Sequence, residues 1–180
     1  TVRALAENLR ANDVVQGGSG DDVIDGGYGA DRIDGGTGTD TISGGHGGDT
    51  YVFGIGSGQD FYLPTYEPGY INTLELGPGI APADIVVRRV SDSYWGGNIA
   101  LEISIAGTTD KAVFSAFFYG ENVNNPYNPL QRVRFADGTV LTADDLRAML
   151  TVATEGDDVI NGSAGNDLLD GLGGNDSIYG

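Results

Sequence analysis

The chain has 180 residues, 31 of them glycine and none cysteine, and a formal net charge of −17. Without cysteine neither a disulfide framework nor a thiolate metal site can form, and so acidic a chain disfavours nucleic acid and anionic membrane as partners while favouring metal cations. No apolar run of 18 residues is present to cross a membrane, and residues 1–16 lack the basic start and continuous apolar stretch of a secretory signal.

The first segment, residues 1–10, contains "TVRALAENL" with Val2, Leu5 and Leu9 at helical spacing, and is read as the remnant of a preceding linker helix. A shift of 145 residues lays "NDVVQGGSGDDVIDG" (12–26) on "DDVINGSAGNDLLDG" (157–171) and Leu5 on Leu150. The chain is therefore expected to be about one period of a longer tandem protein. Gly180 falls where another repeat would begin, which also points to a fragment.

From residue 8 the chain reads in nines: NLRANDVVQ, GGSGDDVID, GGYGADRID, GGTGTDTIS and GGHGGDTYV, and again from residue 153, ATEGDDVIN, GSAGNDLLD and GLGGNDSIY. All eight units carry aspartate sixth (Asp13, Asp22, Asp31, Asp40, Asp49, Asp158, Asp167, Asp176) and an apolar residue eighth (Val15, Ile24, Ile33, Ile42, Tyr51, Ile160, Leu169, Ile178). A short period with one apolar position per unit predicts an all-β solenoid, each unit a turn plus a short strand that buries its apolar side chain against its neighbours. Residues 11–60 carry a net charge of −8 and residues 153–180 of −6, so a metal-free chain should repel itself. The glycines let carbonyl oxygens converge in the turns, and the aspartate adds a carboxylate at each turn's end. Oxygen donors without imidazole or thiolate in the pattern suit calcium better than magnesium.

Residues 61–152 differ, with 12 of the 16 aromatic residues and a net charge of −4. Alternation predicts strands in "IALEISI" (99–105), "KAVFSAFF" (111–118) and "RVRFADGTVL" (132–141), the last turning at Asp137-Gly138. "TADDLRAML" predicts a helix near 143–150, with Thr142 as N-cap. The expected organisation is thus a repeat block over 11–60, a β-rich linking or capping segment over 61–152, and the start of a second block over 153–180.

The nonapeptides G-G-x-G-x-D-x-U-x resemble the repeats-in-toxin (RTX) motif of haemolysin-type calcium-binding proteins. "RVRFADGTVLTADDL" resembles the haemolysin-type calcium-binding related segment found between such arrays, which implies strands that extend or cap the roll. The resemblance implies a parallel β-roll with several calcium ions in its turns, each ion shared by turns 18 residues apart. Carried onto this chain, one ion lies between Asp22 and Asp40, with carbonyls of Gly18, Gly20, Gly35 and Thr37. Another joins Asp31 and Asp49 with Gly27, Gly29, Gly44 and His46. Asp13 would pair with Asp31 and carbonyls of Gly26 and Tyr28, although Leu9 and Ala11 stand where the first turn wants glycines. Asp40 would pair with Asp60, using Gly36 and Gly38, if "GIGSGQDFY" is a unit expanded by two residues. In the second block Asp158 and Asp176 are spaced to share an ion, with Gly156, Gly171 and Gly173, and Asp167 is a candidate ligand by its position.

Catalytic patterns are set aside. His46 lies between Ser43 and Asp49 but reads as a solvent-facing turn residue lending only its carbonyl; no H-E-x-x-H, G-x-S-x-G or phosphate-loop motif is present, and "DDVIDGG" is not an EF-hand. Asp21/Asp22 and Asp144/Asp145 fall in a metal-binding turn and a helix start, and Tyr94-Trp95 reads as core or cap aromatics before a sugar-stacking pair. The expected function is a non-enzymatic calcium-binding module of a secreted, extracellular or surface-bound bacterial RTX protein that folds on meeting calcium outside the cell. The resemblance adds the type I secretion machinery as partner. Two alternatives stand beside it: an adhesin or surface-layer module with a binding face in 61–152, acting by self-association or glycan binding, and the non-catalytic part of an exported protease or lipase.

Overall fold

A computed structural model describes residues 3–5, 11–97, 99–150, 159–161, 171 and 174–179. Each nonapeptide of the first block contributes one short strand: β2 (Val14–Gln16), β3 (Val23–Asp25), β4 (Arg32–Asp34), β5 (Thr41–Ser43) and β6 (Thr50–Phe53). Side chains alternate across a strand, so the central residue of each turns inward while its neighbours face out. Val15, Ile24, Ile33, Ile42 and Tyr51 are accordingly all buried.

Successive strands go to opposite sheets. β2, β4 and β6 stack in parallel in one, with Val15 opposite Ile33 and Ile33 opposite Tyr51. β3, β5 and β7 (Gln59–Tyr62) stack in the other, with Ile24 opposite Ile42 and Ile42 opposite Tyr62. One coil is therefore two nonapeptides, and the two sheets clasp a single file of apolar side chains. The chain forms a parallel β-roll.

The middle segment prolongs both sheets. β8 (Thr73–Leu76) and β12 (Arg132–Arg134) add to the first in parallel, and β11 (Lys111–Phe114) adds to the second beside β7. Antiparallel strands then border the sheets: β9 (Ile85–Val90) and β10 (Ala100–Ile105) beyond β11, and β13 (Val140–Thr142) beyond β12. The file of isoleucines widens here into larger groups. Tyr62 stacks on Phe114 with centroids 4.5 Å apart, and Tyr51 leans on Tyr62 at 4.8 Å. Across the outer face of the first sheet, Glu75 pairs with both Arg32 (2.7 Å) and Arg134.

Helix α1 (Ala143–Met149) matches the predicted one. Thr142 Oγ1 accepts from Asp145 N–H, and Asp145 returns the contact to Thr142 N–H. Leu146 anchors it in the core. The hairpin at Asp137-Gly138 also forms, closed by Phe135 N–H to Thr139 O at 2.9 Å.

Two expectations differ. Arg3–Leu5 form a strand, β1, that pairs in parallel with β3, rather than helical turns; an open sheet edge offers these backbone groups partners that an isolated helical turn lacks. The rest of 1–10 lies outside the described residues. The strand expected over 111–118 ends at Phe114, because the buried Asp92 carboxylate captures Ser115 Oγ and Ala116 N–H and holds Ala116 at φ 56°. In the second block, β14 (Val159–Asn161) pairs in parallel with β15 (Ser177–Tyr179), setting Ile160 opposite Ile178. This repeats the 18-residue register.

Tight stacking makes some glycines obligatory. Gly36 has φ +94°, and a Cβ there would strike Gly18 O in the turn below; Gly69 has φ +91° but open space around it. Gly69→Ala should cost about 1–2 kcal/mol of backbone strain, and Gly36→Ala that strain plus a further roughly 1–3 kcal/mol from the clash. Urea unfolding in saturating calcium will compare the two; equal losses would contradict the stacking described.

Candidate metal centre

The turns between strands form two edges. Turns 17–22, 35–40 and 54–58 lead from the first sheet to the second, and turns 26–31, 44–49 and 63–72 lead back. Along each edge the sixth-position aspartates form a ladder. Asp31 Oδ1 accepts Asp13 N–H (2.8 Å), and Asp49 Oδ1 accepts Asp31 N–H (3.0 Å). On the other edge Asp40 Oδ1 accepts Asp22 N–H (2.9 Å), and Asp60 Oδ1 accepts Asp40 N–H (3.1 Å). The 20-residue step from Asp40 to Asp60 is the expanded unit read from the sequence.

Each ladder bond uses one carboxylate oxygen. The other, Oδ2, is buried without a hydrogen-bond partner at Asp31, Asp40 and Asp49, and Asp13 Oδ2, at the ladder's end, is likewise buried without one. A buried anionic oxygen without a partner is costly, and protein dipoles alone do not remove that cost. Asp31, Asp40, Asp49 and Asp60 are all at most 2 % exposed, so water cannot remove it either.

Carbonyls complete the surroundings. Gly18 O accepts Thr37 N–H, Thr37 O accepts Gly20 N–H, Gly27 O accepts His46 N–H and His46 O accepts Gly29 N–H, which locks the turns together at 2.6–2.9 Å. Each such carbonyl keeps a second lone pair. Gly35 O presses against Gly17, and Gly44 O against Gly26, so closely that a Cβ at either lower glycine would strike it. Of the other carbonyl candidates, Gly38 and Tyr28 sit on the same ladders, bridged to Gly58 and His46, and Gly36 stacks on Gly18. Among the described residues no three acidic or imidazole side chains converge on one point. A cation in these turns must therefore draw on carbonyls as well as on carboxylates from two turns. That donor set is hard, all-oxygen and anionic, and it fits calcium.

In the second block a Cβ on Gly171 would strike Asp176 Oδ2, the relation that Gly35 has to Asp40 and Gly44 to Asp49. Asp158, Asp167, Gly156 and Gly173 lie outside the described residues. His46 is more than a source of a carbonyl. Its ring stacks on Tyr28 (centroids 4.8 Å apart), and its Nδ1 lies 3.1 Å from Glu67 Oε1.

The structure also reveals acidic and amide residues that the period could not point to. Asn72 Oδ1 accepts Asp49 N–H (2.8 Å), taking the aspartate's place in the next turn; the likeness of "NTLEL" to "DTYVF" is the signal that carries it. Glu67 Oε1 accepts Gly47 N–H (2.7 Å), and both Asp110 oxygens accept N–H groups of Gly56 and Gly58. Neither carboxylate belongs to a repeat. Trp95 packs edge-on against Tyr119 and Tyr127, beside an exposed Tyr94.

Comparison with known proteins gives two families. The RTX calcium-binding nonapeptide repeat (4 copies) matches residues 10–42, 25–60 and 152–180, and the haemolysin-type calcium binding protein related domain matches residues 101–145. No curated protein matches the chain.

Burial raises the carboxyls of Asp31 and Asp40 above their ordinary range. It pushes Asp49 up to about 7, helped by the charges of Asp31 and Glu67, and Asp60 up to about 7, helped by Asp40 and Asp110. An unfolded aspartate titrates near pH ~4. Between these values the metal-free fold holds protons that the unfolded chain has released, so its stability falls as pH rises through that window. In chelator any residual fold should thus be more populated at pH 5 than at pH 8, while calcium affinity weakens toward pH 5 as protons compete. Circular dichroism in chelator at both values checks this, and a strand signal that grows with pH would overturn it.

Proposed function

We propose that this chain, which belongs to the RTX haemolysin-type calcium-binding repeat proteins and is a calcium-binding structural module, acts as a folding switch read by extracellular calcium. The observation that carries the reading is the pair of aspartate ladders with buried, unpartnered Oδ2 atoms. In a compartment poor in calcium these carboxylates repel and the single-file core is too small to offset them. The chain then stays extended enough for export, by the type I route that the family implies. Outside, at about millimolar calcium, each ion bridges turns 18 residues apart and its binding free energy becomes folding free energy. The ions pair Asp13 with Asp31, Asp31 with Asp49, Asp22 with Asp40, Asp40 with Asp60 and, in the second block, Asp158 with Asp176. Dissociation constants of order 10⁻⁴ to 10⁻³ M set the threshold between the two compartments. The module itself performs no turnover, whatever protein carries it.

A second reading, an adhesive or surface-layer module, is favoured by one feature. Tyr66, Trp95, Tyr119 and Tyr127 form a contiguous aromatic cluster, with Tyr66 57 % exposed. Glycan binding or self-association at that cluster, present in calcium and lost on Trp95→Ala, would favour it.

A calcium titration followed by circular dichroism tests the switch: strand signal should grow cooperatively between about 10⁻⁴ and 10⁻³ M calcium, and equal folding in chelator and calcium sinks the proposal. Asp31→Asn removes a ligand that two ions share and should flatten the titration more than Asp176→Asn, which touches one. Equal effects of the two variants would contradict the bridging arrangement.

A further inference from the structure

At each interior step of the second edge, the later turn supplies an aspartate. One oxygen closes the backbone ladder and the other is left buried without a partner against the first glycine of its turn. The last step departs from this rule. After turn 44–49, the residue in the aspartate's place is Asn72, whose Oδ1 closes the ladder on Asp49 N–H. Its remaining atom is an amide nitrogen, which repels a cation.

The missing anionic oxygen is present from another direction. Glu67 lies within the same turn, 63–72, and its side chain is 6 % exposed. Oε1 accepts Gly47 N–H and contacts His46 Nδ1, while Oε2 is buried with no partner. Asp49 Oδ2, on the adjoining turn, is likewise buried without a partner. Two unsatisfied carboxylate oxygens thus come from two consecutive turns of one edge, the same number and charge as at the interior step between Asp31 and Asp49.

The other edge supplies the contrast. Asp110 closes it, but spends both oxygens on N–H groups, of Gly56 (2.9 Å) and Gly58 (2.8 Å). A carboxylate serving only to cap a turn looks like Asp110. Glu67 caps with one oxygen and keeps the other back. A cavity of about 410 Å³ also borders Glu67, lined by Tyr66, Pro68, Gly69, Tyr70 and Ile71 among others.

We infer that Glu67 and Asp49 hold a further calcium ion at the end of the second edge, in a site that lies outside the nonapeptide motif. The register that draws carbonyls from the second and fourth positions of an earlier turn assigns Gly45 and Gly47 to it. This inference rests on the calcium reading above, because Asp49 is shared with the preceding interior site. Glu67 takes the role that aspartate plays elsewhere, and the array is one ion longer than its repeats.

The test is made on the whole chain, with calcium as the probe. Crystals of the unmodified protein grown in calcium should give an anomalous-scattering peak between the Glu67 and Asp49 carboxylates, in addition to those at the interior turns. Native mass spectrometry should count one calcium fewer in Glu67→Gln, whose amide oxygen can still accept Gly47 N–H. Peaks at the interior turns with none at Glu67, or an unchanged count in Glu67→Gln, would overturn the inference and leave the calcium switch standing. No calcium at any turn would overturn both. The crystal map needs no variant, so the question is decided even if Glu67→Gln fails to fold.

Discussion

The structure depends on carboxylates buried in its turns with only part of their hydrogen-bonding capacity met by protein groups. Asp31, Asp40 and Asp49 lie on straight ladders inside the turns, each with one oxygen satisfied by a backbone N–H and one left over. Protein groups meet one oxygen of each carboxylate and leave the other open to a cation. An array that met both oxygens internally would be stable without metal. One that met neither would not hold the turns in register when an ion arrived.

The same constraint explains the thinness of the core. A repeat that devotes its turn to glycine carbonyls and a carboxylate has room for one inward side chain per strand, and Val15, Ile24, Ile33 and Ile42 are that complement. Hydrophobic burial scales with area, so a file one residue wide contributes little per coil. Cohesion has to come from the edges. Where the repeats stop, the balance reverses: Leu74, Phe114, Phe117 and Phe135 fill the space between the sheets, and no described ladder of orphaned aspartates accompanies them.

Legibility followed periodicity. The one inward residue per nonapeptide, the expanded step to Asp60 and helix α1 were in the sequence, because each is written either as a repeat or as a local capping signal; the 18-residue register came through the family resemblance. Glu67 and Asp110 were not. Each is a lone acid brought to a turn by an excursion of the chain, and such a contact leaves no trace in spacing. β1 was missed for a related reason: Val2, Leu5 and Leu9 have a helical period, but a three-residue segment takes its conformation from the edge beside it, here β3. The early end of β11 came from Asp92, whose acceptance of N–H groups from Trp95 and Ala116 is tertiary and invisible to local pattern.

In a stack of coils, stability is a sum of each coil's own free energy and its interface with its neighbours. The coil built from β6 and β7 has a neighbour with a broad apolar core, since β8 and β11 pair with it in parallel and are backed by β10, β12 and α1. Its strands meet a formed template, and the next coil outward, β4 with β5, meets one only once β6 and β7 are in place. Ordering is therefore cheapest at the aromatic segment and most expensive at the glycine-rich end. A calcium ion placed nearest the junction does the most to join the two regimes, since it binds turns already half fixed by the cap. Turn 44–49 stands at that junction, held by Asn72 and Glu67 on one side and by the Asp31 ladder on the other, which makes Asp49 the residue through which the aromatic core and the repeat array are coupled.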